Sequence, residues 1–258
     1  MHAVEFEWLV EDRLREAVLR HYPYDWKEDS ITHDLLIRLR KSFKHVQLQN
    51  LRYPIEIEWE IYKLHGPRET AYGDIGLLIR YRTREGSDIE GAGFLEAKLR
   101  GRDATKFHHV RHEQVARLLS RSPWTRLLLY DYSAVPVLDE TDVNVDDWDF
   151  HLRHFRGRQQ AKVTHGAVVP MELASTISHY DDSLYPFCHS LSYQFLQRYF
   201  RLHDLDFRQS AINAVKGFPT DLGTPNYIMV IRMAVMGQNL PEEYRPSDNL
   251  FAMLGEGQ

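Results

Sequence analysis

Two carboxylates and one ammonium group stand at the ends of neighbouring apolar segments between residues 72 and 98. Asp74 opens the first segment, and Glu96 and Lys98 end the second. If the two segments are antiparallel strands, their pairing centres near Gly86 and places Asp74 roughly opposite Lys98. The spacing therefore predicts that the three charged side chains meet at one end of a hairpin.

Alternation along a strand fixes which side chains share a face. Residues at i and i+2 face the same side of a sheet, so Asp74, Glu96 and Lys98 are expected on one face. The apolar side chains expected on the other face are Ile75, Leu77, Leu95 and Ala97. Two carboxylates and an ammonium within reach of one another suit a hard divalent cation and an attacking water. The pattern favours a metal-dependent phosphodiesterase.

The elements that must position these residues follow from hydrophobic periodicity. Apolar spacing predicts helices over about 5–19, 30–43 and 108–120, and strands over about 54–64, 73–81, 90–98 and 127–130. The turn-prone segment 83–88 joins the two strands of the hairpin. The predicted order is two helices, three strands in a meander, a helix and a strand.

The second half of the chain is less regular. A strand is predicted over 163–169, a helix over 191–200 and a strand over 227–235, although periodicity alone leaves a helix open for the last. The polar segment 237–258 is interpreted as a flexible tail or a partner-binding arm. Without an internal repeat or a sharp linker, the 258 residues are expected to form one domain, with a core at about 28–132 and a C-terminal elaboration at about 133–236.

The order of these residues resembles the PD-(D/E)XK nuclease superfamily. The matching residues are Asp74, then Glu96 and Lys98 with one residue between them, then Gln114 on the following helix. Gly73 stands before the aspartate where the name of the motif has proline, a departure that is common in the superfamily. The short motif gains weight from its context on two strand ends and a basic helix.

The resemblance covers about 54–132 and the preceding helix, and it says little about the second half. It implies an α/β (α+β) fold with a restriction-endonuclease-like core. In this fold a mixed central sheet is flanked by helices, and additional C-terminal elements are expected here.

The resemblance also implies a role for each motif residue. Asp74 and Glu96 would bind Mg²⁺ or Mn²⁺, with the backbone carbonyl of Ala97 as a further oxygen ligand. Lys98 would orient the attacking water and stabilise negative charge, and Gln114 would hydrogen-bond Lys98 or that water. The opposing interpretation is a surface hairpin whose charged residues form ordinary salt bridges, worth under about 1 kcal/mol each.

Members of the superfamily often add an acidic residue from the first helix of the core. Glu28 is the first choice for this ligand, and Asp34 is the second. The alternative for this acidic stretch is that Asp29 or Ser30 caps the helix and that the neighbouring acids favour its positive end.

Charge is distributed unevenly along a chain whose net charge is −5. Proteins that bind nucleic acid alone usually carry a basic surplus, so the total argues mildly against a nuclease. The segment 98–126 is nevertheless strongly basic, whereas 139–149 is acidic. Arg100, Arg102, Lys106 and Arg111 are interpreted as a track for the DNA backbone or as a solvated charged face.

Other candidate sites carry less weight. His108 and His112 lie four apart on the predicted helix, a spacing that can hold zinc, but no Cys or third His supports it. Cys188 is the only cysteine and is expected to be buried rather than nucleophilic. The chain lacks a phosphate-binding glycine loop of either common type, which argues against ATP hydrolysis.

The location and the functional hypotheses follow. A single cysteine, an N-terminus without the pattern of a signal peptide and the lack of a long apolar run predict a cytoplasmic protein that does not enter membranes. The leading hypothesis is a Mg²⁺-dependent endonuclease acting on DNA, with RNA as an alternative substrate. It is expected to work as a homo-oligomer or with a partner protein, in a bacterial restriction or antiviral defence system. The competing hypotheses are an inactive nuclease-fold subunit that binds DNA or a protein, and a hydrolase of another phosphate substrate such as a nucleotide.

Overall fold

The computed structural model describes most of the chain. The described residues are 1–49, 53–65, 72–102, 106–108, 111–137, 163–177, 180–218, 223–247 and 250–255. The acidic segment 139–149 lies outside them, and so do residues 66–71, which follow the second predicted strand.

A mixed sheet of nine strands forms the centre of the described part. The strands are β1 (His45–Leu48), β2 (Ile55–Leu64), β3 (Ile75–Arg82), β4 (Asp88–Leu99), β5 (Arg126–Pro136), β6 (Val163–Pro170), β7 (His189–Ser190), β8 (Tyr227–Val235) and β9 (Phe251–Met253). Their order is β1-β2-β8-β3-β4-β5-β6-β7, with β9 paired to β2. The pairs β3–β8 and β4–β5 are parallel, and the other pairs are antiparallel. The predicted α/β class with a mixed sheet is confirmed.

Helices cover both faces of this sheet. They are α1 (Ala3–His21), α2 (Glu28–Phe43), α3 (His112–Arg121), α4 (Met171–Thr176), α5 (Leu191–Tyr193) and α6 (Gln209–Val215). A 3₁₀ helix spans Asp182–Phe187, and α5 continues as a π turn and a 3₁₀ turn through Arg201. None of the helices in the described ranges is long and apolar enough to span a bilayer.

The predicted faces of the hairpin are present. Ile75, Leu77, Leu95 and Ala97 pack in one buried cluster with the apolar faces of α1 and α2. On the opposite face, Leu78 and Phe94 pack against α6. The period of two along β3 and β4 thus separates two apolar layers, as expected for a sheet covered on both sides.

The register of the hairpin differs from the prediction. Ile75 pairs with Leu95 and Arg82 with Asp88, so continuing the ladder places Asp74 opposite Glu96 rather than opposite Lys98. A shift of two residues keeps every side chain on its face, whereas a shift of one would have reversed them. The register prediction is wrong, but the assignment of faces is unaffected.

The predicted meander is also wrong. Strand β8 lies between β2 and β3 and runs parallel to β3. Nearly all of its side chains are buried, which explains why its sequence is a continuous apolar run instead of an alternating one. A strand from the last quarter of the chain therefore lies at the centre of the sheet, not in an elaboration outside a core at 28–132.

Parts of the expected C-terminal tail are also integrated into the fold. Strand β9 pairs with the end of β2, and Leu254 is buried in the cluster beneath α1 and α2. Arg40 donates a hydrogen bond to the carbonyl oxygen of Leu254 at 2.5 Å. The prediction of a flexible tail is wrong for these residues.

Candidate active site

The predicted charged residues meet where β3 begins and β4 ends. The Oδ2 atom of Asp74 accepts a hydrogen bond from the backbone N–H of Ala97 at 2.9 Å. The Nζ atom of Lys98 lies 2.8 Å from Oε1 of Glu96. The structure therefore brings Asp74, Glu96 and Lys98 together.

A tight backbone approach places the aspartate. Gly73 has φ = +88°, and a Cβ at this position would lie 2.9 Å from the carbonyl oxygen of Leu95. Only glycine suits both the left-handed conformation and the close contact. The backbone N–H of the next residue, Asp74, donates a hydrogen bond to the carbonyl oxygen of Leu95 at 3.0 Å. This bond directs the side chain of Asp74 towards the end of β4.

Lys98 lies among acidic and carbonyl oxygens. Besides Glu96, its Nζ atom lies 2.6 Å from the carbonyl oxygen of Ala97 and 3.3 Å from Oε2 of Glu28. Burial opposes the charge of the ammonium group, but Glu96, Glu28 and Asp74 outweigh this effect and raise the pKa of Lys98. Lys98 is therefore held in its charged form.

The carboxylates of the cluster outnumber its cation. Burial, followed by the charge of Glu96, raises the pKa of Asp74 to about 7. Glu96 is 3% exposed, and burial raises its pKa although Lys98 acts in the opposite direction. Both shifts arise mainly from burial, which disfavours the charged form of a carboxylate. A cation bound beside these oxygens would favour their charged forms.

Gln114 supports one of the carboxylates. It lies in the first turn of α3, and its Nε2 atom donates to Oε1 of Glu96 at 2.7 Å. The expected partner was Lys98 or a water, so the structure gives Gln114 a different contact. Arg117, three residues further along the same helix, favours the charged form of Glu96. Arg117 is not part of the motif. Its position three residues after Gln114 on a helix nevertheless indicates that the two side chains face the same side.

The structure distinguishes between the two acidic candidates on α2. Glu28 is the first residue of the helix and contacts Lys98, whereas Asp34 pairs with Arg38 at 3.0 Å. Capping by Asp29 or Ser30 is wrong, because Lys27 occupies the N-cap position and both residues lie inside the helix. Glu28 and Asp29 do lie in its first turn, as the second part of that alternative expected. Asp29 instead accepts a hydrogen bond from the hydroxyl of Tyr227 at 2.5 Å.

Two hydrogen bonds hold the beginning of α2 against the sheet. The indole N–H of Trp26 donates to the carbonyl oxygen of Arg100 at 2.7 Å. The hydroxyl groups of Thr32 and Tyr130 lie 3.0 Å apart in the buried interface between α2 and β5. Because Glu28 lies between Trp26 and Thr32 in the chain, these contacts fix its position relative to Lys98.

The Thr32–Tyr130 contact gives a testable prediction. Thr32→Val leaves the buried Tyr130 hydroxyl without this partner, so the free energy of unfolding should fall by about 1 kcal/mol. Urea denaturation of Thr32→Val, Tyr130→Phe and the double variant measures the coupling. We expect the double variant to lose less than the sum of the single losses; additive losses would contradict the contact.

The basic residues that follow β4 have different environments. Arg100 is paired with the buried Asp131 at 2.7 Å, so it connects β4 to β5. Arg102, Lys106 and Arg111 are exposed. Three of the four residues expected to contact the DNA backbone are therefore exposed cations, and the fourth, Arg100, is held in an ion pair.

The two histidines do not share a helix face. His108 precedes α3, which begins at His112, so the predicted start of this helix at residue 108 is wrong. The ring of His108 lies 3.6 Å from Oε1 of Glu28, beside the cluster. His108 is thus a neighbour of the site, and the spacing argument for zinc does not apply.

Asn226 is a site residue that the sequence did not indicate. It precedes β8, and its Nδ2 atom lies 3.5 Å from Oδ1 of Asp74. The contact exists because β8 pairs with β3, a pairing that joins residues about 150 positions apart in the chain. No local pattern around Asn226 marks it.

The donor set fits a hard divalent cation in chemical type. The carboxylates of Asp74 and Glu96 and the carbonyl of Ala97 are oxygen donors, which Mg²⁺ and Mn²⁺ prefer. Within the described ranges, no three or more His, Cys, Asp or Glu side chains are grouped as a metal site, and Lys98 lies between the acidic oxygens. Comparisons with protein-family models, curated proteins and solved structures found no match to this chain.

Proposed function

We propose that this protein is a metal-dependent nuclease of the PD-(D/E)XK type, with a restriction-endonuclease-like core, that hydrolyses phosphodiester bonds of DNA. The observation that carries the proposal is the cluster of Asp74, Glu96 and Lys98 at adjoining strand ends. Gln114 and Glu28 complete this cluster from two different helices.

The buried carboxylates beside Lys98 support binding of Mg²⁺ or Mn²⁺. Asp74 and Glu96 would hold the ion with the carbonyl oxygen of Ala97, and Glu28 is a further candidate ligand. A bound divalent ion neutralises a phosphate and lowers the pKa of a coordinated water. A bound ion would also favour the charged forms of both carboxylates, whose pKa values burial raises.

The protein side chains have distinct roles in this proposal. Lys98 is charged and lies beside the carboxylates, so it can orient the attacking water and stabilise the negative charge that forms on the phosphate. Gln114 fixes the orientation of Glu96 through its hydrogen bond. Asn226 restricts the position of Asp74 from the neighbouring strand.

The surface near the site supports a polyanionic substrate. Arg102, Lys106 and Arg111 are exposed on the segments that follow β4 and precede α3. Their charges suit phosphates of DNA, and RNA offers the same backbone chemistry. We propose further that the protein acts in the cytoplasm of a bacterium in a restriction or antiviral defence system, as a homo-oligomer or with a partner protein that supplies specificity.

Plasmid cleavage tests the proposed activity. Purified protein with supercoiled plasmid and Mg²⁺ or Mn²⁺ should produce nicked or linear DNA, and EDTA should abolish the products. Parallel reactions with RNA and with a small phosphodiester separate the substrate classes. Turnover of the small phosphodiester without cleavage of either nucleic acid would contradict the proposal in favour of a nucleotide hydrolase.

A binding subunit without catalysis is the second candidate. The observation that favours it is the position of Lys98, whose ammonium group already contacts Glu96, Glu28 and the Ala97 carbonyl oxygen. Titration with Mn²⁺ distinguishes the two functions, because a nuclease site should bind the ion and lose this binding in Asp74→Asn. DNA binding without metal binding would support the second candidate.

A further inference from the structure

One aromatic side chain near the candidate site projects almost completely into solvent. Tyr24 is 94% exposed and lies on the turn between α1 and α2, compared with 58% exposure for Phe187. A tyrosine ring offers a large apolar surface, so such exposure leaves its stacking surface available for a ligand.

The turn that carries Tyr24 is held firmly on both sides. Tyr22 stacks on Tyr132 with ring centroids 4.3 Å apart and an interplanar angle of 22°. Trp26 is 6% exposed and hydrogen-bonds the carbonyl oxygen of Arg100. The exposed ring is therefore presented by an ordered turn, which lowers the entropic cost of binding.

Tyr24 lies close to the proposed catalytic groups. Glu28, which contacts Lys98, follows Tyr24 by four residues. The Cα atoms of Tyr24 and Glu28 are therefore at most about 14 Å apart, the span of an extended chain of this length. The guanidinium group of Arg102 lies 3.4 Å from the carbonyl oxygen of Tyr24. The turn and the basic segment after β4 therefore border the same site.

The charges around the ring suit a nucleic-acid strand. Arg102 is exposed beside Tyr24 and can contact a phosphate. The neighbouring acid, Asp25, is paired with Lys27 at 3.0 Å, which offsets its charge, and its other carboxylate oxygen lies 3.2 Å from the ring of His21. A cation for the backbone next to an aromatic ring for a base is the combination that binds single-stranded nucleic acid.

We propose that Tyr24 stacks on an unpaired base of the substrate strand near the bond to be cleaved. The base rests on the phenol ring while Arg102 contacts the backbone of the same strand. Bases in a duplex are stacked on their neighbours and do not offer a free face. The inference deepens the proposed nuclease function, on which it rests, by assigning the substrate as unpaired nucleotides. These occur in single strands, flaps, frayed ends and the locally opened sites of supercoiled plasmid, but not in fully paired duplex.

Fluorescence anisotropy with a labelled single-stranded oligonucleotide in EDTA tests stacking without cleavage. Tyr24→Ala should weaken binding about ten-fold, whereas Tyr24→Phe should bind like the wild type because it retains the ring. Trp8→Ala is the matched control, since Trp8 is 49% exposed but lies on the first half of α1, about 20 Å from its end. An oligonucleotide with abasic sites should bind the wild type and Tyr24→Ala equally.

Three outcomes would overturn the inference. Tyr24→Ala could bind the single strand as tightly as the wild type does, as expected if the ring contacts a protein partner instead. The substitution could weaken duplex binding as much as single-strand binding, or the wild type could bind no oligonucleotide. Catalysis is measured separately. If Tyr24→Ala weakens binding in EDTA but the wild type does not cleave plasmid, the stacking inference stands and the nuclease proposal fails.

Discussion

Asp74→Asn, Glu96→Gln and Lys98→Met are each expected to reduce Mg²⁺-dependent DNA cleavage by about a hundred-fold to a thousand-fold. The first two substitutions remove a charged oxygen donor from the proposed ion site. The third removes the ammonium group that lies 2.8 Å from Glu96 and would stabilise charge on the phosphate. Initial rates of plasmid nicking at saturating Mg²⁺ measure the loss.

Asp88→Asn is the matched control for this series. Asp88 lies on the same strand as Glu96 but at its opposite end, where it pairs with Arg82 at 2.7 Å. This variant should cleave like the wild type, and circular dichroism should show the same secondary structure in all variants. Wild-type rates in Asp74→Asn or Glu96→Gln would contradict the proposed roles.

The metal-free protein is expected to lose stability relative to Asp74→Asn as the pH rises from about 4 to about 7. Burial and Glu96 raise the pKa of Asp74 to about 7, compared with an ordinary value of 3.8. In this interval the folded protein keeps a proton that the unfolded chain has released. The contribution of Asp74 is therefore full below about pH 4 and is lost as the pH rises through 7, with a slope of up to about 1.4 kcal/mol per pH unit.

Urea denaturation in EDTA at several pH values between 4 and 8 measures this effect. The raised pKa of Glu96 acts in the same direction, while the raised pKa of Lys98 places its titration above this interval. Asp88→Asn is again the control. Arg82 lowers the pKa of Asp88, so Asp88 titrates below this interval and its replacement should leave the pH dependence unchanged. If the free energy of unfolding changes with pH in the same way for the wild type and for Asp74→Asn, ionisation of Asp74 does not destabilise the folded protein and the prediction is wrong.

Local patterns were sufficient to predict the elements that carry the candidate site. Alternating apolar residues placed Leu95 and Ala97 on the face of β4 that packs against α1 and α2, and left Glu96 and Lys98 on the other face. The register was wrong by two residues because the position of the turn, with Gly86 at φ = +84°, is not fixed by the apolar pattern. The apolar pattern cannot distinguish the true register from one shifted by two residues, because both registers place the same side chains on each face of the sheet.

Long-range pairing explains the features that the sequence did not predict. The place of β8 between β2 and β3 depends on contacts between distant segments, so neither the sheet order nor Asn226 was visible locally. The pairing of β4 with β5 likewise places Arg100 beside the buried Asp131, which changes its expected role from DNA contact to structural support. Glu28 and Asp34 were both acidic residues of one helix, and only the packing of α2 distinguishes them.

Anomalous diffraction from a crystal soaked in Mn²⁺ tests the central claim most directly. We expect one Mn²⁺ peak that contacts the carboxylates of Asp74 and Glu96 and the carbonyl oxygen of Ala97, with Lys98 displaced from that carbonyl. A soaked crystal without Mn²⁺ at these residues, and with Lys98 still in contact with the Ala97 oxygen, would contradict the proposal that this cluster is a divalent metal site.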